Sequence, residues 1–238
     1  MTETPSFCGP LAIQRPFDLA DGCLVATRFA AEALTADAFT TAGIALPPRL
    51  AAAAAKRRAE FLAGRLCARQ ALWQLDGRWQ APELGEDRAP RWPQGCVGSI
   101  THAHGWAAAL VAPRSAYHGL GLDAERWLDD AEAARLARRV LTPAERARLP
   151  ADEAALAVTL TFSLKESLFK ALYPLVGRRF YFPDAELLSW HPNGRARLRL
   201  LGDLAPAWRA GRELDGHFCH WQGRLLSLVT IPAPRPDH

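Results

Sequence analysis

Asp123 and Glu125 are two carboxylates in an apolar run that contains two glycines, Gly119-Leu120-Gly121-Leu122-Asp123-Ala124-Glu125. Side chains alternate between the two faces of a strand, so a strand here would place both acids on the same face. Neighbouring carboxylates repel each other unless a cation lies between them, and their hard oxygens suit Mg²⁺. Two solvated acids at an exposed strand end explain the same run, so this run alone leaves both readings open.

A further acid, Glu166, lies with two lysines in the run Phe162-Ser163-Leu164-Lys165-Glu166-Ser167-Leu168-Phe169-Lys170. Glu166 and Lys170 are four residues apart and share a face of the predicted helix, either at the edge of a core or as a surface ion pair. The chain has 29 Lys and Arg residues, and all but Lys56, Lys165 and Lys170 are arginine. Lysine is a compact, titratable charge, so two of so few lysines in one run favour a need for a primary amine, with chance as the alternative.

Two other segments have residue types that bind phosphate. Gly98-Ser99-Ile100-Thr101-His102 leads a predicted strand into a turn with hydroxyls and an imidazole, although an ordinary hairpin turn has the same composition. The predicted helix that precedes it carries five basic side chains, which form either a phosphate-binding face or a solvated one: Lys56, Arg57, Arg58, Arg65 and Arg69.

The elements that position these residues follow from hydrophobic periodicity and from turn and capping signals. Helices are predicted over 49–76, ended by Gly77, over 127–140, and over 152–173, ended by Pro174, with a capping box at Thr142. Strands are predicted over 97–101, 106–112, 117–125, 195–201, 217–221 and 225–231, with turns at 102–105 and 222–223. Each half therefore has helices and antiparallel strands, and we predict an α+β fold of two similar subdomains, residues 1–115 and 116–238, the second with most of the metal ligands.

Composition excludes several classes of protein. The net charge of +4 and the pI of about 9.0 suit a polyanionic ligand but are too weak to indicate nucleic-acid binding. No run approaches the ~18 apolar residues of a membrane span, and the N-terminus does not read as a secretory signal. The five scattered cysteines predict free thiols and a cytoplasmic protein. A zinc site at His217, Cys219 and His220 is disfavoured, because His220 would face away from the other two in a strand.

Together and in this order, the runs resemble the 4′-phosphopantetheinyl transferases of the surfactin-synthetase-activating type, most closely the branch of enterobactin synthase component D. That family has G-(I/V)-D-x-E and, roughly forty residues later, (F/W)-(S/T/C)-x-K-E-(S/A)-x-x-K. Leu122 is a minor departure from the first motif. The branch also has an arginine-rich helix with E-x-L-A-G-R, read here over 57–65, and G-S-(I/L)-(S/T)-H, read over 98–102. The resemblance covers about residues 49–174.

The resemblance implies an enzyme that moves 4′-phosphopantetheine from coenzyme A to a serine of an apo carrier protein and releases adenosine 3′,5′-bisphosphate. It implies that Mg²⁺ is held by Asp123, Glu125 and Glu166, and that Glu166 or Lys170 takes the serine proton. Contacts to the phosphates of coenzyme A are implied for Arg57, Arg58, Ser99, His102 and Lys165.

The partner implied is a peptidyl, aryl or acyl carrier, within siderophore or other nonribosomal peptide synthesis, and the enzyme is expected to be a monomer. The alternative is a regulator that binds coenzyme A or a nucleotide without chemistry. Such a regulator would keep the basic helix but would not need three acids and a lysine. A nucleic-acid-binding module would show a broad basic face, which the net charge does not indicate.

Overall fold

The computed structural model describes residues 4–234 of the 238-residue chain, in two compact units that divide between Ala116 and Tyr117. The helices are α1 (Ala38–Ala42), α2 (Ala55–Asp76), α3 (Asp130–Val140), α4 (Pro143–Ala147) and α5 (Ala154–Val176), with short 3₁₀ turns at Ala31–Ala33, Pro48–Leu50 and Phe182–Asp184. The strands are β1 (Ala12–Gln14), β2 (Cys23–Arg28), β3 (Glu83–Leu84), β4 (Pro90–Arg91), β5 (Cys96–Ala103), β6 (Trp106–Pro113), β7 (Tyr117–Glu125), β8 (Ala185–Trp190), β9 (Arg195–Leu200), β10 (Glu213–Trp221) and β11 (Arg224–Pro232).

The first unit is an antiparallel sheet in the order β1-β2-β6-β5, with α2 packed on one face. Leu62 and Leu66 of α2 and Val25 and Val111 of the strands are fully buried in its core. The helix begins at residue 55 rather than at 49, because Pro48–Leu50 forms a separate 3₁₀ turn. It ends as predicted at Gly77, whose φ of 77° lies in the left-handed region that favours glycine.

The hairpin of β5 and β6 is tighter than predicted. The predicted turn was 102–105, whereas His102 still pairs with Ala107 inside the sheet. The turn consists of His104 and Gly105, with φ values of 45° and 70°. Two consecutive positive φ values are typical of a two-residue type I′ turn, so His102 belongs to the strand.

The second unit is an antiparallel sheet in the order β7-β11-β10-β9-β8, with α5 along one face. Leu164, Leu168 and Leu172 of α5 pack with Leu198 and Leu225 of the strands in its core. The predicted turn between β10 and β11 is confirmed, because Trp221 pairs with Arg224 across the two turn residues. Two antiparallel sheets that each carry a helix confirm the predicted α+β class.

The end of α5 corrects the prediction that Pro174 stops the helix. Pro174 lies inside α5, which continues to Val176. Proline removes one backbone N–H, but near the end of a helix only one bond of the last turn is lost. The helix ends instead at Gly177, which has a φ of 67° and whose N–H donates to the Tyr173 carbonyl.

The two shorter helices of the second unit begin with capping boxes. Thr142 accepts a hydrogen bond from the Glu145 N–H, and Glu145 accepts one from the Thr142 N–H, as predicted. Asp129 and Glu132 form the same arrangement at α3, so that helix begins at Asp130 rather than at residue 127. Over residues 4–234, none of the helices has the length and apolar content that crossing a bilayer requires.

Candidate active site

β7 and α5 approach so closely that only glycine fits at two positions of the strand. A Cβ at Gly121 would lie 1.7 Å from the Ser167 carbonyl oxygen, and one at Gly119 would lie 2.4 Å from the Ala171 carbonyl oxygen. Both obstacles are helix backbone, which cannot rotate away as a side chain can. Gly121 of the first motif and Gly119, two residues before it, therefore allow the helix of the second motif to pack directly against the strand that carries Asp123.

Asp123 is held by two residues of α5. Its side chain is buried, with Lys170 Nζ donating to Oδ1 at 2.7 Å and Ser163 Oγ donating to Oδ2 at 2.8 Å. Lys170 also donates to the backbone carbonyl of Leu122 at 3.0 Å, so its ammonium fastens both the side chain and the backbone of the strand. The ammonium and the hydroxyl donor offset the cost of burying this carboxyl group.

Glu125 and Glu166 share the electrostatic environment of Asp123. Glu125 lies two residues after Asp123 and therefore on the same face of β7. Burial raises the pKa of Glu125 to about 8, and the neighbouring carboxylates of Asp123 and Glu166 add to the rise. Burial also raises the pKa of Glu166, with Lys170 opposing the effect and Asp123 adding to it. The three acids thus lie near enough to repel one another, which a cation would relieve.

The chemistry of these donors fits Mg²⁺, although their side chains do not form a coordination shell as they stand. All are hard carboxylate oxygens, and their mutual repulsion is the kind that a divalent cation removes. Among the residues that the structure describes, no group of three or more His, Cys, Asp or Glu side chains is arranged to hold a metal ion. Lys170 and Ser163 each use one lone pair of an Asp123 oxygen, and each oxygen has a second, so Asp123 could keep both bonds while Glu125 and Glu166 turn toward a shared ion.

The position of the Lys165 side chain does not agree with the predicted contact to phosphate. Its side chain is almost fully buried, and Nζ donates to Glu145 Oε2 at 2.7 Å and to the carbonyls of Val140 at 2.8 Å and Phe182 at 3.1 Å. An ammonium has three N–H donors, so these bonds use all of them. Burial lowers the pKa of Lys165, and Glu145 opposes this shift. Lys165 therefore joins α5 to the segments around it and is not part of the phosphate contacts that we propose.

The other predicted phosphate contacts lie in the first unit, and the structure brings only some of them together. Arg57 Nη1 lies 3.1 Å from His102 Nε2, beside Glu60, on the face of β5 that α2 covers. Ser99 is three residues before His102 in the same regular strand, so its side chain points to the opposite face. Arg58 is half-buried and lines a groove with Phe39, Thr40, Ile44 and Leu46. Arg57 and His102 thus form one potential anion contact, which Ser99 does not join.

Arg65 is a further candidate for anion binding. In the sequence it was one of five basic side chains of the predicted helix, with nothing to distinguish it from the other four. Its residue is 5% exposed, its guanidinium lies over the Phe61 ring at 4.6 Å, and Nε makes no hydrogen bond within the described chain. Burial and the charge of Arg49 lower its pKa to about 10. A buried guanidinium without a carboxylate partner among residues 4–234 is costly unless an anion compensates it. Helical periodicity could locate Arg65 but could not show its burial.

An aromatic cavity of about 170 Å³ adjoins Glu166 in the second unit. Its lining consists of Lys165, Glu166, Phe169, Arg179, Phe180, Tyr181, Phe182 and Ala185. The apolar rings would favour an uncharged part of a ligand, while Glu166 lies at the wall. No sequence signal indicated this cavity, because its walls come from α5 and from the segment that follows it and meet only in the fold.

The chain is similar to known proteins over most of its length. The family model "4'-phosphopantetheinyl transferase N-terminal domain" matches residues 45–112, and the model "4'-phosphopantetheinyl transferase superfamily" matches residues 119–224. 4'-Phosphopantetheinyl transferase Svp of Streptomyces mobaraensis is 39% identical over 201 residues, 78% of this chain and 76% of that protein. Enterobactin synthase component D of Escherichia coli (strain K12) is 38% identical over 178 residues, 74% of this chain and 77% of that protein.

A third relative matches a shorter part of the chain at a similar level of identity. 4'-Phosphopantetheinyl transferase PptT of Mycobacterium tuberculosis is 41% identical over 143 residues, 59% of this chain and 62% of that protein. The two family models together cover both the arginine-rich helix α2 and the acids of β7 and α5. With that coverage, and with a relative matched over three quarters of its own length, the chain belongs to the 4′-phosphopantetheinyl transferase superfamily and is an enzyme of that family.

Proposed function

We propose that the enzyme transfers 4′-phosphopantetheine from coenzyme A to a serine of an apo carrier protein at the acids of β7 and α5, with Mg²⁺ held by Asp123, Glu125 and Glu166. The observation that carries this proposal is the close glycine contact between β7 and α5, which brings the strand with Asp123 and Glu125 against the helix with Glu166. Bound magnesium would supply positive charge that neutralises the diphosphate of coenzyme A.

The reaction moves one phosphorus between two oxygens. The serine oxygen of the carrier forms a bond to the phosphorus that bears pantetheine. The bond from that phosphorus to the bridging oxygen breaks, and adenosine 3′,5′-bisphosphate leaves with the electron pair. The serine proton must reach an acceptor near the attacking oxygen.

Glu166 is the proton acceptor that we propose, directly or through water, and Lys170 has a different role. The Lys170 nitrogen lies 2.7 Å from Asp123 Oδ1 and 3.0 Å from the Leu122 carbonyl oxygen, so it acts as a hydrogen-bond donor to two acceptors. Its bonds to the carboxylate and to the backbone of the strand hold Asp123 in place. Glu166 has no such ion pair among the described residues.

Coenzyme A is proposed to use basic side chains of α2 for its phosphates. Arg57 and His102 form one contact, half-buried Arg58 another, and the buried guanidinium of Arg65 has no carboxylate partner within residues 4–234. Ser99, on the opposite face of β5, is proposed to contact a separate part of the molecule. The aromatic cavity beside Glu166 suits the uncharged pantetheine arm.

The carrier is proposed to be a peptidyl or aryl carrier of siderophore or other nonribosomal peptide synthesis. Support comes from the likeness to enterobactin synthase component D. Acyl carriers stay within the proposal, because the name of the Svp transferase specifies no carrier. We propose that the enzyme is a monomer. We also propose that it is located in the cytoplasm, since its five cysteines are free thiols, as expected in a reducing compartment.

The test is to incubate the enzyme with coenzyme A, Mg²⁺ and apo carriers of the peptidyl, aryl and acyl classes, and to measure carrier mass. We expect at least one class to gain a single phosphopantetheine, and Asp123→Ala and Glu166→Ala to lose at least about 100-fold in rate. Asp215→Ala, an exposed acid of β10, is the matched control and should keep full rate.

Two outcomes would contradict different parts of the proposal. If no carrier of any class gains mass, the transfer activity is wrong, and a coenzyme A-binding regulator becomes the better explanation. If carriers gain mass but Asp123→Ala and Glu166→Ala act like Asp215→Ala, the enzyme is a transferase and the assignment of the acids is wrong.

A further inference from the structure

Three serine hydroxyls lie in a row behind Asp123, in the interior of the second unit. Ser163 and Ser167 belong to α5, and Ser227 belongs to β11, directly across from Asp123 in the register of the sheet. All three serines are 0% exposed. Ser163 Oγ lies 2.8 Å from Asp123 Oδ2 and 2.7 Å from Ser227 Oγ, and Ser227 Oγ lies 2.8 Å from Ser167 Oγ.

The hydrogens of this row can be assigned, because a serine hydroxyl donates only one. Ser163 gives its hydrogen to the Asp123 carboxylate, which is the acceptor. The contact between Ser163 and Ser227 must therefore use the hydrogen of Ser227. Ser167 then donates to Ser227, where the hydroxyl lies at 2.8 Å and the carbonyl oxygen at 3.0 Å. The hydrogens of Ser163 and Ser227 thus point toward Asp123, while the single hydrogen of Ser167 lies between the hydroxyl and the carbonyl oxygen of Ser227.

Such a row strengthens the last bond and fixes its direction. Hydrogen bonds in a chain polarise one another in a low-dielectric interior, so Ser163 is a better donor when Ser227 donates to it. Without Ser227, the Ser163 hydroxyl would lose the partner that accounts for one of its lone pairs. The Asp123 carboxylate has Lys170 at one oxygen and this row at the other, so both oxygens are fixed by residues of the interior.

Stability alone does not explain serine at these positions. A buried hydroxyl that is fully hydrogen-bonded contributes little net stability, and alanine of nearly the same size would fill the space between helix and strand. Two of the serines lie in the motif of α5, but Ser227 lies beyond the segment that the family models match. The feature that distinguishes Ser227 is its place in the row that ends on Asp123.

We propose that Ser227 is a positioning residue for the metal site: acting through Ser163, it orients the Asp123 carboxylate toward the cation. This inference rests on the proposed function, because it takes Asp123 as a metal ligand. Groups that orient a ligand typically change metal affinity by about 10- to 100-fold when they are removed. No contact of Ser227 with substrate or with the reacting atoms is proposed, so the effect of removing its hydroxyl should appear first in metal binding.

The experiment titrates the enzyme with Mn²⁺ in the presence of coenzyme A and measures free Mn²⁺ by electron paramagnetic resonance. We expect Ser227→Ala to bind Mn²⁺ about 10-fold more weakly and Ser163→Ala at least as weakly. The double variant should bind no more weakly than Ser163→Ala, since Ser227 acts only through Ser163. Ser227→Thr, which keeps the hydroxyl, should keep the affinity even where its extra methyl lowers the melting temperature.

Thr161→Val is the matched control, because the Thr161 hydroxyl is buried on the same helix but donates to the Ala157 carbonyl at 2.7 Å. It should leave Mn²⁺ affinity unchanged. Wild-type affinity in Ser227→Ala, or losses that multiply in the double variant, would overturn the inference. Failure of the wild-type enzyme to bind Mn²⁺ would overturn the metal assignment as well, and failure to load any carrier would overturn the proposed function itself.

Discussion

Gly121→Ala is expected to damage the enzyme more than alanine at any other glycine of the second unit. The added Cβ would lie 1.7 Å from the Ser167 carbonyl oxygen, 2.7 Å from the Ser167 carbonyl carbon and 2.8 Å from the Ala171 nitrogen. All three atoms are backbone of α5, so no change of rotamer relieves the clash. Helix and strand must move apart instead.

The size of the effect follows from that distance. Nonbonded carbons rest about 3.5 Å apart, so β7 and α5 must separate by more than about 1 Å. Overpacking typically costs about 1–3 kcal/mol, and a forced backbone shift places this variant at or beyond the upper end. For a unit of this size, about 3 kcal/mol corresponds to a fall in melting temperature of about 10 °C. The shift would also pull Asp123 away from Lys170 and Ser163.

The assay is thermal unfolding, followed by Mn²⁺ binding on any folded fraction. Gly202→Ala is the matched control in the same unit, because its added Cβ would meet nothing closer than Asp184 Oδ1 at 3.4 Å. We expect its melting temperature to stay within about 2 °C of wild type. If Gly121→Ala has the same melting temperature as Gly202→Ala and binds Mn²⁺ normally, the argument that Gly121 is needed for the close packing of the helix is refuted.

Further predictions concern charge and thiols. Lys165→Met should lower the free energy of unfolding in urea by about 3–5 kcal/mol, because it leaves the Glu145 carboxylate buried without its ion-pair partner; a loss below about 1 kcal/mol would contradict that role. Burial acts to raise the pKa of Glu186, but hydrogen bonds from arginines, including Arg148, outweigh it and hold the pKa below its usual value. Glu186 therefore stabilises the fold above its unfolded pKa, and this contribution is lost as pH falls through the folded pKa. Arg148→Ala should therefore make unfolding free energy less dependent on pH below about pH 4.5, and an unchanged acid limb would contradict this. Burial raises the pKa of Cys219 to about 11, so iodoacetamide at pH 8 should label it far more slowly in the native enzyme than in urea, and equal rates would refute the burial argument.

Local signals predicted the parts of the site that lie within one element. Strand β7 runs from Tyr117 to Glu125 as predicted, and the capping box at Thr142 formed because its two members are three residues apart. Glu166 and Lys170 were correctly placed on one helix. Such patterns succeed because the interacting groups are neighbours in sequence, so their geometry is fixed by the helix or strand itself.

Interactions between distant segments left no such signal. The position of Ser227 opposite Asp123 depends on the pairing of β11 with β7, which no pattern near either residue encodes. A phosphate contact was predicted for Lys165 from the family resemblance, whereas its ammonium forms an ion pair with Glu145 of α4 in the interior. Strand β2, from Cys23 to Arg28, was not predicted, since a short apolar run does not by itself distinguish a buried strand from a buried helical segment.

The close seat of α5 on β7 has a consequence for protein engineering. The two sequence motifs form one packing contact. Gly119 and Gly121 allow the helix to lie against the strand, and Lys170 donates hydrogen bonds from the helix to Leu122 and Asp123. A designer who transplants only the acids to another scaffold would leave behind the spacing that makes them neighbours. The smallest portable unit is the strand and helix together with β11, whose Ser227 completes the row behind the carboxylate.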